Sequence, residues 1–488
     1  MNLQLPQQTY QSRSKPFSSE RLLNMLFEPS SANKNLYMLV GAPGLKEYYD
    51  LGGDEQIRGM MYLRDCLVFV TTSKICVVYQ NPTTKELVLV KQVYWSTAGW
   101  GNPVAPVQMC SNGDCIMMHN PTDNSLYIVE ILELDVTNPD NWNIAKAITI
   151  TPDAKYKSVA YISGVFVSVC QKGQDSFIQY SEVLGRSLEY EFQLDTALTN
   201  LTAVSSNMRE LWCFGANSIE VVSPTGETGN DFFAHVTGAY VNMGCVCKNS
   251  IATHETVFFF YATNGVIYAA ENYTSLKPIS TPALLEMIKS WGELDTQADK
   301  DSVLGQIYTH AGHTFYMLKF KKFGKTLLYD MTTGSWSERE TGDGGEWEGE
   351  YITRRPNGEM IVSSATTDKL YIMDMDVYTD NGLPIRREFV FGTIKNEAKH
   401  RMFFYSLTLD VDVGLGPDDT VMLSWSDDGG YTWTGERMLK LGNYGQYKKK
   451  LQFRKLGSST LRTYKVRFST ASRINVLSAD MEAEEGTV

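Results

Sequence analysis

Residues 65–80 read DCLVFVTTSKICVVYQ. Two apolar runs rich in β-branched side chains flank the polar break Thr-Thr-Ser-Lys, which is the pattern of a β-hairpin. Six more stretches follow the same grammar. They are GDCIMMHNPTDNSLYIVE from Gly113, GVFVSVCQKGQDSFIQYSE from Gly164 and RELWCFGANSIEVVS from Arg209, then ETVFFFYATNGVIYAAE from Glu255, HTFYMLKFKKFGKTLLYD from His313 and GEMIVSSATTDKLYIMD from Gly358. Successive starts lie 48, 51, 45, 46, 58 and 45 residues apart, by subtraction of the starting positions. A hairpin returning every 40–50 residues or so predicts propeller blades, each about four strands, which bury their faces only against neighbours. The fold class is therefore all-β: a β-propeller of about seven blades, with six and eight as alternatives, and a C-terminal antiparallel β region.

Working outward, the division expected is an extended N-terminal arm over 1–35, a propeller over 36–398, a C-terminal β-sandwich-like region over 399–478 and a solvated acidic tail over 479–488. The C-terminal region forms either a separate small sandwich or the strands that close the ring. STPALLEMIKSWGEL, from Ser280, has helical spacing with Ser280 or Thr281 as N-cap and Pro282 in the first turn. It predicts a helical insertion over about 280–300, in the longest gap between hairpins. SERLLNMLFEP, ending at Pro29, reads as a second short turn of helix.

Composition bounds function. Of 488 residues, 44 are Lys or Arg and 56 are Asp or Glu, a net charge of −12. This argues against general nucleic-acid binding, which needs a basic face, but does not exclude a surface past which DNA slides without sticking. The polar N-terminus lacks the apolar core of a signal peptide, and no apolar run approaches membrane-spanning length, so no membrane insertion is expected. The eight cysteines lie scattered, several inside strand-like runs, and read as small buried hydrophobes in a reducing compartment.

SWSDDGGYTW, residues 424–433, contains Ser-x-Asp-x-Gly-x-Thr-Trp, the Asp-box spacing best known from sialidases. The expected reading is structural: Ser426, Asp428, Gly430, Thr432 and Trp433 build a turn, with Asp428 accepting amides of its own loop and Trp433 anchoring a core. A sialidase also needs an arginine cluster, a Tyr–Glu pair and an acid, which one box does not supply. KKFGKT at 321–326 lacks the first glycine of a P-loop and reads as an exposed hairpin tip. HAGH at 310–313 and CVC at 245–247 lack partners at metal-site spacing. Histidines three apart in a strand would also face opposite ways. GDGGEWEGEY at 342–351 carries carboxylates suited to glycoside hydrolysis, but reads better as a solvated connection. In YKKKLQFRK at 447–455, Lys448, Lys449, Lys450, Arg454 and Lys455 form a candidate partner-contact strand. No catalytic residue, cofactor or metal is expected.

Three blocks carry a family resemblance: NMLFEP (24–29) with GAPGLKEYYDLG (41–52) and RGMMY (58–62); RELWCFGANSIEVVSPTGE (209–227) with ISTPALLEMIKSW (279–291); and SWSDDGGYTWTGERMLKLG continuing to RTYKVRF. With these, the chain resembles the packaged-DNA stabilisation proteins of short-tailed bacteriophages, the tail accessory factors of the tail nozzle. TPDAKYKSVAYISG at 151–164 fits that pattern less well. The resemblance implies a non-enzymatic virion protein of the tail, assembled in the host cytoplasm, usually as a ring of six copies. Such a ring sits below the portal and its head-to-tail adaptor, closes the exit channel, holds packaged double-stranded DNA without specific binding, and docks the tail needle or plug and the spikes or fibres. The alternatives are a propeller glycosidase or sialidase-like phage depolymerase, and a cytosolic scaffold of the WD or kelch type, against which repeated Gly-His…Trp-Asp and paired-glycine signatures are missing.

Overall fold

The computed structural model describes residues 1–29, 37–151, 153–194, 200–396, 400–417 and 419–486. Residues 30–35 of the expected arm and 487–488 of the expected tail lie outside them. Among the described residues, seven four-stranded antiparallel blades follow one another; five are separate sheets, and the sixth and seventh are continuous with sandwich strands in one larger sheet. The first is Ile57–Leu63, Cys66–Thr71, Lys74–Gln80 and Leu87–Tyr94. The next five repeat this plan, from Gln108–Ser111 through Ser335–Arg339. The seventh takes Gly349–Arg354, Met360–Ser364 and Lys369–Asp374 from late in the chain and its outer strand, Gly44–Asp50, from the beginning.

Every hairpin marked in the sequence is the middle pair of a blade. The physical reason is burial. Middle strands such as Cys66–Thr71 and Cys115–Asn120 are buried on both faces, so they read as unbroken apolar runs, while an outer strand such as Leu87–Tyr94 alternates and is partly wet. The innermost strands of successive blades touch in a closed cycle, the seventh against the first. Seven apolar clusters fill the seven gaps. One example packs Ile57, Phe69 and Val78 of the first blade on Tyr351, Ile361 and Leu370 of the seventh.

The C-terminal region is a β-sandwich, not the closure of the ring. One sheet runs Met25–Pro29, Tyr37–Gly41, Asn475–Glu485, Met402–Val411, Leu451–Ser459. The other runs Ser19–Leu23, Leu383–Val390, Leu461–Thr470, Thr420–Ser426, Arg437–Lys440. Leu22, Met25, Leu407, Leu423, Phe453, Val466 and Met481 meet between them.

Four expectations change. Of the expected 1–35 arm, the described residues are built into the sandwich and the seam instead. SERLLNMLFEP is not helical: it forms strands Ser19–Leu23 and Met25–Pro29, hinged at Asn24 with φ 52°, because Leu22, Leu23, Met25 and Leu26 are all buried and no helix face stays wet. Strands of the sandwich begin at Leu383, earlier than 399. The acidic tail is a strand over Asn475–Glu485, since Ala479 and Met481 point into the core while acids alternate outward. In the expected insertion, helix α1 (Pro282–Trp291) is capped by Thr281, whose Oγ1 accepts from Leu284 N at 3.2 Å. Helix α2 (Gln297–Asp301) follows with a capping box from Thr296 and Asp299. Among the described residues, no helix is long and apolar enough to cross a membrane.

Candidate functional site: the seam between propeller and sandwich

The strand Ser19–Leu23 lies between two bodies. Leu23 pairs in parallel with Glu338 of the sixth blade, while Arg21, Leu22 and Leu23 pair with Val390, Phe389 and Glu388 of the sandwich. Asn24 is the pivot. It is fully buried, and its Nδ2 donates to Glu340 O at 2.9 Å and Arg386 O at 2.7 Å, while Glu340 N donates to its Oδ1 at 3.2 Å.

An ion-pair network crosses this seam. Arg21 bonds Glu338 at 2.7 Å on the propeller and Glu388 at 3.2 Å on the sandwich. Arg386 reaches Glu340 at 3.2 Å, Glu388 at 2.9 Å and also Asp343, and Arg467 bonds Glu388 at 3.2 Å and Glu436 at 3.0 Å. Burial opposes charge on Arg21, yet Glu338, with Glu388 and Glu340, holds its pKa above the ordinary value. Burial likewise pushes Glu388 up, and Arg21, Arg386 and Lys465 outweigh it, so that its pKa falls. A second joint lies inside the sandwich, where the buried Arg462 grips Asp427 with two bonds, at 2.7 and 2.8 Å, and stacks over Phe404 and Trp425.

The Asp box borders the same seam. Asp428 accepts from Tyr431 N at 2.9 Å, Thr432 N at 2.9 and 3.0 Å, Thr432 Oγ1 at 2.6 Å and Ser426 Oγ at 2.6 Å, and Gly430 N donates to Ser426 Oγ at 2.7 Å. The Ser426 and Thr432 hydroxyls and these amides hold the carboxyl well below the usual range. Gly429, with φ 78°, faces Pro16 so closely that a Cβ would stand 2.6 Å from its Cα. Trp433 departs from expectation. It is only half-buried, with Lys465 Nζ 4.4 Å from its ring, and the core anchor nearby is Trp425.

The N-terminal segment, α1 and the Asp-box loop enclose a cavity of about 520 Å³ bordered by Arg13, Lys15, Arg21, Arg386, Trp433 and Lys465. A second cavity, about 260 Å³, lies on the propeller axis between innermost strands. There Lys248 Nζ donates to Lys157 O at 3.1 Å.

The remaining sequence candidates disperse. Lys448, Lys449 and Lys450 are exposed in the loop before Leu451–Ser459, so only Arg454 and Lys455 stand on the strand, both exposed. His310 and His313 face each other across the two-residue turn Ala311–Gly312, both at positive φ. They are direct cross-strand partners on one face, contrary to the strand rule applied to them. Among the described residues, no group of three His, Cys, Asp or Glu side chains could hold a metal. In KKFGKT, Lys322 is exposed but Lys321 pairs with the buried Glu350 at 2.5 Å, so the tip is only partly solvated. The 342–351 loop is not simply solvated either: Trp347 is buried, and Glu348 accepts from Ser364 at 2.7 Å and Tyr371 at 2.9 Å. The cysteines are free; seven are buried and Cys110 is half-buried, and burial pushes the thiols of Cys66, Cys76 and Cys115 up to about 12.

The network escaped the sequence reading. Its signal was charge in the middle of otherwise apolar strands: Arg21 in SERLL, Glu338 in SWSER and Glu388 in LPIRREFV.

Comparison with known proteins agrees with this two-body plan. The family model described as Bacteriophage P22 Gp10, beta-propeller, matches residues 1–378, and that described as Bacteriophage P22 Gp10, beta-sandwich, matches residues 386–484. No curated protein matches the chain. Among solved structures, the WD40 β-propeller domain of Doa1 is similar at TM-score 0.40 and 13% identity, covering 68% of this chain and 97% of that one. KlHsv2 with loop 6CD replaced by a Gly-Ser linker gives 0.35 and 8%, covering 71% and 95%. An exo-β-1,3-galactanase from Phanerochaete chrysosporium, with galactose, gives 0.27 and 9%, covering 79% and 97%. By its family models the chain belongs to the Bacteriophage P22 Gp10 family of packaged-DNA stabilisation proteins, and it is a structural protein of the phage virion.

Proposed function

From that membership we propose that the chain is a nozzle or hub subunit of a phage tail. Several copies, six by the family resemblance, form a ring below the head-to-tail adaptor. The ring closes the DNA exit channel, retains packaged DNA, and docks the needle or plug and the spikes or fibres. Assembly takes place in the host cytoplasm.

The observation that carries the reading is the pairing of a closed propeller with a sandwich across a buried ionic seam, in the order of the two family models. Such a body keeps its shape under load, because bending it would strip partners from buried charges. The propeller axis supports a channel formed between copies rather than within one. Its cavity is only about 260 Å³, whereas a DNA duplex has a major groove alone about 12 Å wide. A net charge of −12 favours a channel wall that phosphates pass without sticking. The reading is non-enzymatic: the Asp-box carboxylate is engaged by its own turn.

The test is a phage lacking this chain. Particles purified on a density gradient should be empty heads with truncated tails. Full, stable heads would sink the reading, and release of reducing sugar from mixed glycans by the pure protein would favour the depolymerase.

A further inference from the structure

We propose that the seam cavity is the receiving half of a head-to-tail contact, filled by the 132–135 loop, Leu-Glu-Leu-Asp, of a second copy of this chain. This rests on the ring reading above and supplies the contact that reading needs.

The cavity asks for carboxylate flanked by apolar groups. Two carboxylates line it, but both are engaged: Glu286 by Lys289 at 3.9 Å and Glu388 by Arg21, Arg386 and Arg467. Arg13, Lys15 and Lys465 also face it, and among the described residues none of the three has a carboxylate within ion-pair distance. Lys15 and Lys465 instead lie over Tyr431 and Trp433, 5.0 and 4.4 Å from the ring centres. Ser19 Oγ and Arg386 Nε are buried in the wall with no hydrogen-bond partner, a costly arrangement that an incoming acceptor relieves. Met287 and Val390 add apolar surface.

The 132–135 loop has the complementary composition. Leu134 is 82% exposed, the most of any large hydrophobic side chain among the described residues, and Leu132 is 56% exposed. Glu133 lies between them and, among the described residues, has no hydrogen-bond or ion-pair partner. The loop is rigidly presented: Leu132 N donates to Asn141 O at 2.8 Å, Asn141 Nδ2 to Asp135 O at 2.9 Å, and Trp142 Nε1 to Val136 O at 3.0 Å. Little ordering entropy is then lost on docking.

Loop and cavity cannot meet within one chain. The loop joins the third and fourth strands of the second blade, and the cavity borders α1, between the fifth and sixth blades, on another part of the ring. Two unlike, complementary patches on separate parts of one chain make a heterologous contact, which closes into a ring when its rotation allows.

The test uses tails purified from phage carrying Arg13→Cys and Glu133→Cys together, treated with a short bis-maleimide; the native thiols are mostly buried. Cross-linked multiples of the 54.9 kDa chain in the double variant, absent from either single one, are expected. Cross-links to a different tail protein only, or none in tails that hold several copies, would overturn the contact. Chains per tail are counted separately by densitometry, and a single copy would sink the ring reading itself. As a check that does not depend on the linker, Glu133→Lys alone should lose infectivity and Glu133→Lys with Lys465→Glu should recover it. Unchanged infectivity of Glu133→Lys would count against the proposal.

Discussion

The propeller and the sandwich solve the same problem in opposite ways. In six of the seven blades all four strands are consecutive in the chain, so each sheet is assembled from neighbours joined by short loops. The sandwich takes strands from both ends of the chain: Met25–Pro29 and Tyr37–Gly41 share a sheet with Asn475–Glu485. The seventh blade stands between these cases, borrowing Gly44–Asp50 from the start of the chain. Local pairing makes a module that repeats. Distant pairing makes a lock, since the first 50 residues hold ring and sandwich together.

The strongest way to break this comparison is to remove the lock. Deleting residues 1–50 should open the ring and strip strands from both sandwich sheets, leaving no cooperative unfolding transition by circular dichroism; a cooperative transition near the parent Tm would show that the blades stand alone. Next in size, Glu388→Ala leaves Arg21, Arg386 and Arg467 short of a buried partner, for which about 3–5 kcal/mol is lost, read by denaturant unfolding. Core truncation separates one folding unit from two. Leu67→Ala in the first blade and Leu407→Ala in the sandwich, both buried, should each cost about 2–5 kcal/mol. If the seam couples the bodies, each shifts one shared transition; two transitions moving independently would show the bodies uncoupled.

The smallest effect expected is at the Asp box. Asp428→Asn should lower Tm slightly at neutral pH. Because the Asp428 pKa is depressed in the folded state, its contribution is full above the unfolded Asp value of about 3.9 and fades as pH falls below it. Parent and variant should therefore converge in acid. A variant with parental Tm at neutral pH but lost infectivity would mean that the turn contacts a partner instead of supporting the fold.

The parts of the fold legible in the sequence follow these divisions. The middle strands of every blade were readable because burial on both faces makes them apolar runs and a tight turn sets their register. Inner and outer strands such as Gln108–Ser111 and Leu87–Tyr94 carry weaker patterns, being half wet or short. Around the seam, the Asp box was legible because its bonds lie within seven residues, 426–432. The role of Arg21 was not, because Glu338 and Glu388 stand 317 and 367 residues away. The acidic end misled for a related reason: Met481 and Ala479 alternate with acids, a strand pattern that composition alone averages into a solvated tail.

The sequence by itself determined that this protein is a ring of β-hairpins, with a capped helix in the longest gap between them. The cause is local: alternation, turn chemistry and capping act over a few residues and need no distant partner. Only the tertiary structure decided that the chain's beginning closes the seventh blade, that both ends build one sandwich, and that buried arginines and glutamates weld sandwich to propeller. Those choices depend on which surfaces remain unburied once the hairpins have formed, and on charges that become costly when burial removes their water. No window along the chain contains both sides of such a contact.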